Sequence, residues 1–564
     1  MRKIWYFLFV ILLLFPAVLP AQNIRTLTFE QAAEIAIKNS FSIQDLELDL
    51  REEHYGHIAS LARLKSRVDL AMTTPELKQE REEKFNEETQ LFDIYTDKTT
   101  AYDTKLSITQ PLRTDGKISG NINLNWFSQA GDIPEYTTKI YIELEQPLFR
   151  PNKLLKDIYE AELDLEKSRI SYISQRINLI YGATYSQASA EALAQALESI
   201  SGRDYDSGGD RGGGGDRGGG QRGGGMGGGR MSSLLASYFG RGGSYRAGSL
   251  SQNYYQLYEN SKLLEFDTRF YDIWEDLLNQ AKIRFDAGEL SEREYLQINV
   301  QFSNSRNRLL TSSTKRDAST RALIQFLTLD PNEKIRVIDE LEYVPIEIDE
   351  QKALDEGIKN NRGIRNFMIG IIEDSMRIED TEVGGKITGD FKGTFGLNNT
   401  NPVLRMYFQD FKQARSLNLK LKTPVWDWGR NDMRVESAKI NLETQRRQLE
   451  NDITDTKRQI IGHIYNIRNM QERIDLINRA KELAERNMKI AREKFINGTL
   501  SAEDLILAVT TNYTAQIQYL QLVVSYKNAL IQLANQTQWD FEKNISIREE
   551  IEQIIDNVIT YNSR

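Results

Sequence analysis

Few side chains in this chain are suited to chemistry: three histidines, His54, His57 and His463, and two acidic residues, Glu294 and Asp504, each set three positions after a serine. His54 and His57 are spaced to share one face of a helix, but no third ligand and no carboxylate arrangement completes a metal site. With no cysteine anywhere, thiolate zinc, disulfides and a lipid anchor through an N-terminal cysteine are all excluded. The phosphate-cradling GxxxxGK[ST] motif is also missing, so nucleotide-driven chemistry lacks its usual loop. A net charge of −9 and a pI near 5.4 repel nucleic acid. These features speak against catalysis, cofactors and metals. For Glu294 and Asp504 two roles remain: capping a helix, or forming a charged ring when several copies come together.

Both acidic residues follow a glycine turn. Phe285-Asp286-Ala287-Gly288-Glu289-Leu290-Ser291 resembles Phe495-Ile496-Asn497-Gly498-Thr499-Leu500-Ser501. Gly288 and Gly498 suit a left-handed helix-ending position, Ser291 and Ser501 can cap the next helix, and Glu294 and Asp504 fall where a capping box needs its acid. The elements that carry these turns are long. Between Pro424 and Phe495 there is no proline, and glycine occurs only at Gly429 and Gly462, which predicts one helix of almost seventy residues, on the order of 100 Å. Its later part spaces Ile460, Ile464, Ile467, Ile474, Ile477, Ala484, Met488 and Phe495 by threes, fours and their sums, as in a coiled coil. A second helix is predicted through Leu505, Leu507, Val509, Tyr513, Ile517, Leu520, Val524, Leu530 and Leu533. Together they form an antiparallel hairpin.

The same plan is written twice. The segment 281–291 matches 491–501 at an offset of 210; Gln146-Pro147-Leu148-Phe149 matches Thr423-Pro424-Val425-Trp426 at 277; Ile37-Lys38-Asn39 and Ile358-Lys359-Asn360 open the two halves. The larger excess lies in the first half, mostly in a Gly-rich tract over 201–248, whose backbone entropy argues for a mobile excursion and not a packed element. Arg2 and Lys3 precede the apolar run from Ile4 to Phe15, and Pro20-Ala21-Gln22 closes it, so 1–21 reads as a secretion signal. The predicted organisation is therefore a signal peptide (1–21), a first repeat (22–330) containing the insertion, a second repeat (331–540) and a tail (541–564).

Each half holds one pair of alternating strands. Near 117–146, Ile118, Gly120, Ile122, Leu124 and Trp126 alternate with polar residues, then Ile140, Ile142 and Leu144 do so; near 386–423, Ile387, Phe391, Phe395 and Leu397 are followed by Leu417, Leu419 and Leu421. Strands of about ten residues match a tilted membrane crossing, and Lys139, Glu143, Lys420 and Lys422 on the other side suit a watery lumen. Four such strands cannot leave open edges in hydrocarbon, so several copies must complete one barrel. Three copies leave room for a channel. The segment from Pro75 to Thr100, rich in Glu and Lys, has no counterpart in the second half, and is expected to add an outer helix or loop.

These features resemble the TolC-type outer-membrane efflux protein family. The resemblance rests on the opening helix (Leu27-Thr28-Phe29-Glu30-Gln31-Ala32), the strand pairs ending at Gln146-Pro147 and at Thr423-Pro424-Val425-Trp426-Asp427-Trp428-Gly429, and the paired turns at Gly288 and Gly498. It implies a mainly α chain with a membrane β-barrel: duplicated coiled-coil hairpins plus four transmembrane strands per chain, closing as a trimeric twelve-stranded barrel with a helical periplasmic tunnel. It further implies an outer-membrane exit channel fed by a periplasmic adaptor and an inner-membrane pump, in efflux or type I secretion, contacting outer-membrane lipid and no nucleic acid. By position, Phe285, Gly288, Leu290 and Ser291 with Phe495, Gly498, Leu500 and Ser501 would dock the adaptor, and Glu294 and Asp504 would gate. The competing expectation is a periplasmic coiled-coil adaptor or scaffold without a channel.

Overall fold

A computed structural model describes residues 25–86, 90–129, 132–182, 248–338 and 341–561. The predicted signal peptide and, apart from Gly248, the Gly-rich insertion lie outside them. In chain order the elements are β1 (Arg25–Leu27), α1 (Phe29–Asn39), α2 (Phe41–Ala62), β2 (Arg67–Asn86), β3 (Leu91–Pro111), β4 (Lys117–Gln129), β5 (Glu135–Leu148), α3 (Lys153–Tyr181), α4 (Leu250–Asp286), α5 (Glu292–Phe326), β6 (Ile335–Val337), α6 (Glu350–Asn360), α7 (Arg362–Val383), β7 (Thr388–Asn401), β8 (Lys412–Lys422), α8 (Arg430–Ile496), α9 (Ala502–Thr537), β9 (Trp539–Asp540), β10 (Ile545–Ser546) and α10 (Ile547–Tyr561). Two compact units contain them: Met1–Ser40, Arg176–Glu347 and Tyr465–Asn535 form one, and Phe41–Gln175, Ile348–Ile464 and Gln536–Arg564 the other.

The first unit is helical. Helices α4 and α5 pair across the Gly288 turn, while the end of α8 and most of α9 meet through side chains across the Gly498 turn, as where Asn512 touches Met488 and Gln471 touches Tyr526. The periodic apolar positions expected of a coiled coil fill its cores: Ile474, Ala484 and Phe495 of α8 and Leu505, Val509 and Tyr513 of α9 are buried. Leu507 is the exception, exposed on the face that the three-and-four spacing leaves outside. At the opposite end of this unit, β1 pairs in parallel with β6 beside a core of Leu27, Tyr254, Leu257 and Leu323.

The second unit is built on one antiparallel sheet of six strands, in the order β2-β3-β4-β5-β7-β8. Four were expected. The extra two are β2 and β3, and the charged segment from Pro75 to Thr100, expected as helix or loop, is strand along most of its length. Thr73 faces Asp103 and Glu76 faces Ala101, so the ladder slips at Thr74-Pro75. A proline is tolerated there because β2 is an edge strand and the slip is a bulge. Beyond Thr99, β3 pairs with β2 alone, so the tip of this hairpin runs past the margin of the sheet.

Equivalent positions of the two halves make equivalent hydrogen bonds. In the first unit the Asn39 side chain donates to the carbonyl of Leu327 at 2.8 Å, where α5 has just ended. In the second unit Asn360 donates to the carbonyl of Thr537, the last residue of α9, at 3.0 Å. The next residues, Thr328 and Gln538, both take positive φ (54° and 56°), again 210 apart. Each opening asparagine thus seals the carbonyl end of its own hairpin, where a helix leaves acceptors unpaired.

Candidate functional site

Two places carry the expected function, the sheet of the second unit and the turns of the first. Residues paired across an antiparallel ladder share a face. One row of the sheet reads Val68, Ile108, Gly120, Ile142, Phe395, and the next reads Leu70, Leu106, Ile122, Ile140, Leu397; on β8 these rows end in Arg415 and Gln413, above the apolar run of Leu417, Leu419 and Leu421. The row between those two and the row after them, on the other face, read Asp69, Ser107, Asn121, Tyr141 and Ala71, Lys105, Asn123, Lys139, Asn398, Lys412. One face is oily and the other charged.

The charged face is wired across strands. The Lys392 ammonium lies 3.0 Å from Glu143 and 3.1 Å from Glu145, and Lys117 reaches Glu145 at 2.7 Å. Tyr407 covers the apolar face at its loop end, over Thr138 and Asn399; below it Leu417, Leu419, Leu421, Ile142, Val68 and Leu70 are all exposed. Aromatic rings mark both margins. Tyr102, Trp126 and Tyr136 form one row at the loop end, with Tyr102 and Trp126 at 5.1 Å and Tyr136 against Tyr407 at 5.6 Å. At the helix end, Trp426 and Trp428 stack edge-on at 5.5 Å with 74% and 83% of their surface exposed. From Tyr136 to Leu148, twelve steps of about 3.3 Å at a barrel-like tilt rise about 30 Å, the height of a hydrocarbon core flanked by aromatic girdles.

In the first unit the two turns have the same hydrogen bonds at the same offset. The Glu289 amide donates to Arg284 O and Thr499 to Lys494 O, both bridging five residues, and Gly288 and Gly498 hold φ of 77° and 74°. This is the glycine-closed helix end. Ser291 accepts from the Glu294 amide at 3.3 Å while the Glu294 carboxylate accepts from the Ser291 amide at 3.2 Å and hydroxyl at 2.7 Å. Ser501 caps the Asp504 amide at 3.2 Å and donates its hydroxyl to the Asp504 carboxylate at 2.8 Å. Both acids therefore cap helices.

The Ser291 hydroxyl is the main reason the Glu294 carboxyl sits below its ordinary value of 4.5; partial burial opposes it, and the Ser291 and Ala502 amides and Arg284 assist. A carboxyl depressed by folding contributes stability above its unfolded value and loses it as pH falls through the folded one. Thermal unfolding across acidic pH should show that loss, and Glu294→Gln should flatten this part of the pH dependence and lower the neutral-pH midpoint slightly, by the stability the charged carboxylate contributes there.

The ten turn residues are not equally accessible. Phe495 and Leu290 are buried, at 0% and 8% exposure, and Leu500 is half-buried, whereas Phe285, Gly288, Ser291, Gly498 and Ser501 lie on the surface. Arg284 binds the two hairpin ends together: its guanidinium donates to Phe495 O at 2.7 Å and covers the Phe495 ring at 5.1 Å. Phe285 stacks on Tyr295 at 5.1 Å. Beside the turns, Glu292, Leu296, Val300, Glu503 and Ile506 line an open groove.

Sequence reasoning missed a buried polar contact in the same unit. The Tyr513 hydroxyl donates to Asp267 at 2.5 Å, with Arg308 4.9 Å above the tyrosine ring, and burial pushes the phenol up to about 12. The spacing of Tyr513 with Val509 marks it as core, but the partner 246 residues away has no local signal. Among the described residues no group of three His, Asp or Glu is placed to hold a metal. Among them, too, no helix is long and apolar enough to cross a membrane.

The segment from β7 to the end of α9 carries the decisive likeness: residues 390–537 match the outer membrane efflux protein family. This segment is similar to outer membrane efflux proteins. Solved structures extend the likeness of fold to nearly the whole chain. A membrane protein from Pseudomonas aeruginosa superimposes with a TM-score of 0.57 at 12% identity, covering 90% of each chain. The Campylobacter jejuni CmeC outer membrane channel gives 0.54 at 12%, covering 92% of this chain and 89% of its own. The open-state Neisseria gonorrhoeae MtrE outer membrane channel gives 0.54 at 10%, covering 90% and 88%. Among curated protein sequences none matches. The matched segment takes in most of β7, all of β8 and the second hairpin, and so includes one outer strand of the sheet and the Gly498 turn.

Proposed function

We propose that this chain is the outer-membrane exit channel of a tripartite efflux or type I secretion system, conducting substrate passively from an inner-membrane pump and a periplasmic adaptor to the exterior. The observation that carries this reading is the sheet: one face apolar and, below Tyr407, bare, the other charged, aromatic at both margins and unpaired at both edges. Such a surface is stable only in hydrocarbon, and its open edges only when other copies pair with them. Three copies would complete the barrel, and their hairpins would extend the conduit into the periplasm. The likeness of 390–537 to outer membrane efflux proteins supports the same reading.

The exposed Phe285, Ser291 and Ser501, with the groove at Leu296, Val300 and Ile506, offer the adaptor a mixed apolar and hydroxyl surface. Phe495 and Leu290 would serve docking indirectly, by holding the turn in shape. Glu294 and Asp504 would supply negative charge near the constriction once copies surround the axis. The test of the whole reading is physical: the purified protein should leave the membrane only in detergent, run as a heat-sensitive oligomer and give stepwise conductance in planar bilayers. A monomer that dissolves without detergent and conducts nothing would instead fit an adaptor or scaffold. For the gate, Asp504→Asn should lower cation over anion selectivity severalfold in single-channel records; unchanged selectivity would leave Asp504 a helix cap and nothing more.

A further inference from the structure

The extra hairpin can be placed by asking where the apolar band crosses each strand. On β8 the exposed apolar positions centre on Leu419; on the stretch of β2 before the bulge they centre on Leu70. The ladder through Leu419 passes Phe391 and the level of Gln146, and the registers of β4 and β3 carry it to the level of Leu64, six residues before Leu70. A shift of six residues is about 20 Å along the strands, and five strand spacings are about 24 Å across them. A level band that slides by this ratio means strands inclined by about 40°, within the range of closed barrels. Past β4, where the expected four strands would end, the apolar row does not break off: Ile122 of β4, Leu106 of β3 and Leu70 of β2 lie on one ladder. The hairpin of β2 and β3 therefore lies in the same cylinder as the other four strands.

Resting on the channel reading above, we infer that each copy contributes six strands, that β2 of one copy pairs with β8 of a second copy, and that three copies close an eighteen-stranded barrel. Six is even, so strand direction alternates correctly across the joint. Both edges present apolar residues to one face and polar ones to the other: Leu70 beside Asp69, and Leu419 beside Asn418 and Lys420. At a spacing of about 4.8 Å and a tilt of about 40°, eighteen strands give a backbone diameter of about 36 Å, against about 24 Å for twelve. The charged strand pair beyond Pro75 then stands above the barrel, outside the lipid.

Because the chain has no cysteine, introduced pairs report the joint without background. Ala71→Cys combined in turn with Ser416→Cys, Asn418→Cys or Lys420→Cys should yield, in membranes under mild oxidation, covalent dimers and trimers that reductant dissolves. Asn121→Cys on β4, combined with the same three, should yield none. Images of the unaltered detergent particle should show a ring of about 36 Å. Cross-linking through Asn121 in place of Ala71, with a ring of about 24 Å, would overturn the eighteen-stranded barrel, as would a membrane-extracted oligomer in which neither set cross-links. A soluble monomer would remove the channel reading itself, and this inference with it.

Discussion

Leu419→Arg is expected to cut the amount of assembled, detergent-extracted oligomer by about thirty-fold to nearly a thousandfold, whereas Ser416→Arg, three residues away, leaves it nearly unchanged. Leu419 lies at the centre of the apolar stretch of β8 and is exposed with no protein packed on it. A guanidinium placed there faces hydrocarbon, where a charge on the lipid side near the midplane of a barrel costs about 2–4 kcal/mol. Ser416 pairs with Thr394, whose ladder leads to Glu143. An added positive charge on that face meets water and a carboxylate. Heat-modifiability on unboiled gels measures both variants. Equal tolerance of the two substitutions would mean that the faces are not distinguished by lipid, and the membrane reading would fail at its root.

Phe495→Ala should destabilise the helical unit by about 3–5 kcal/mol, the range for removing a fully buried aromatic side chain. The ring is 0% exposed and belongs to a core with Trp274, Leu277, Ala502 and Leu505. The substitution also strips Arg284 of the aromatic face it covers at 5.1 Å. Phe285, the residue 210 positions earlier, behaves differently: it is exposed and rests on Tyr295 alone among aromatic rings. Phe285→Ala should leave the unfolding midpoint within about 1 kcal/mol and weaken capture of the adaptor instead. Denaturant unfolding and an adaptor pull-down, run on both variants, separate the two roles. Loss of adaptor capture by Phe495→Ala at unchanged stability would show that the buried ring is a docking residue after all.

Local features were legible in the sequence where the physics is local. The long helix was, because sixty-odd residues without proline and with apolar positions three and four apart leave few other conformations: α8 runs from Arg430 to Ile496. The turns were too, since Gly288 and Gly498 are needed at positive φ and Ser291 with Glu294 closes a capping box within four residues. The strands β4, β5, β7 and β8 showed their period of two. The strands β2 and β3 did not stand out, because the short alternation from Val68 to Met72 is followed by a run of Glu, Lys and Arg that reads as solvent-exposed helix or loop, and only pairing along the ladder makes that run a strand.

The sequence by itself thus determined the duplicated plan, the helical hairpins, the glycine turns and a set of amphipathic strands, all of them set by steric limits and periodicity within a few residues. The tertiary structure alone decided that six strands share one sheet, that Phe495 is core while Phe285 is surface, and that Tyr513 meets Asp267 across 246 residues. Those outcomes depend on which distant segments win each other as neighbours, a competition among pairings that no single stretch of chain encodes.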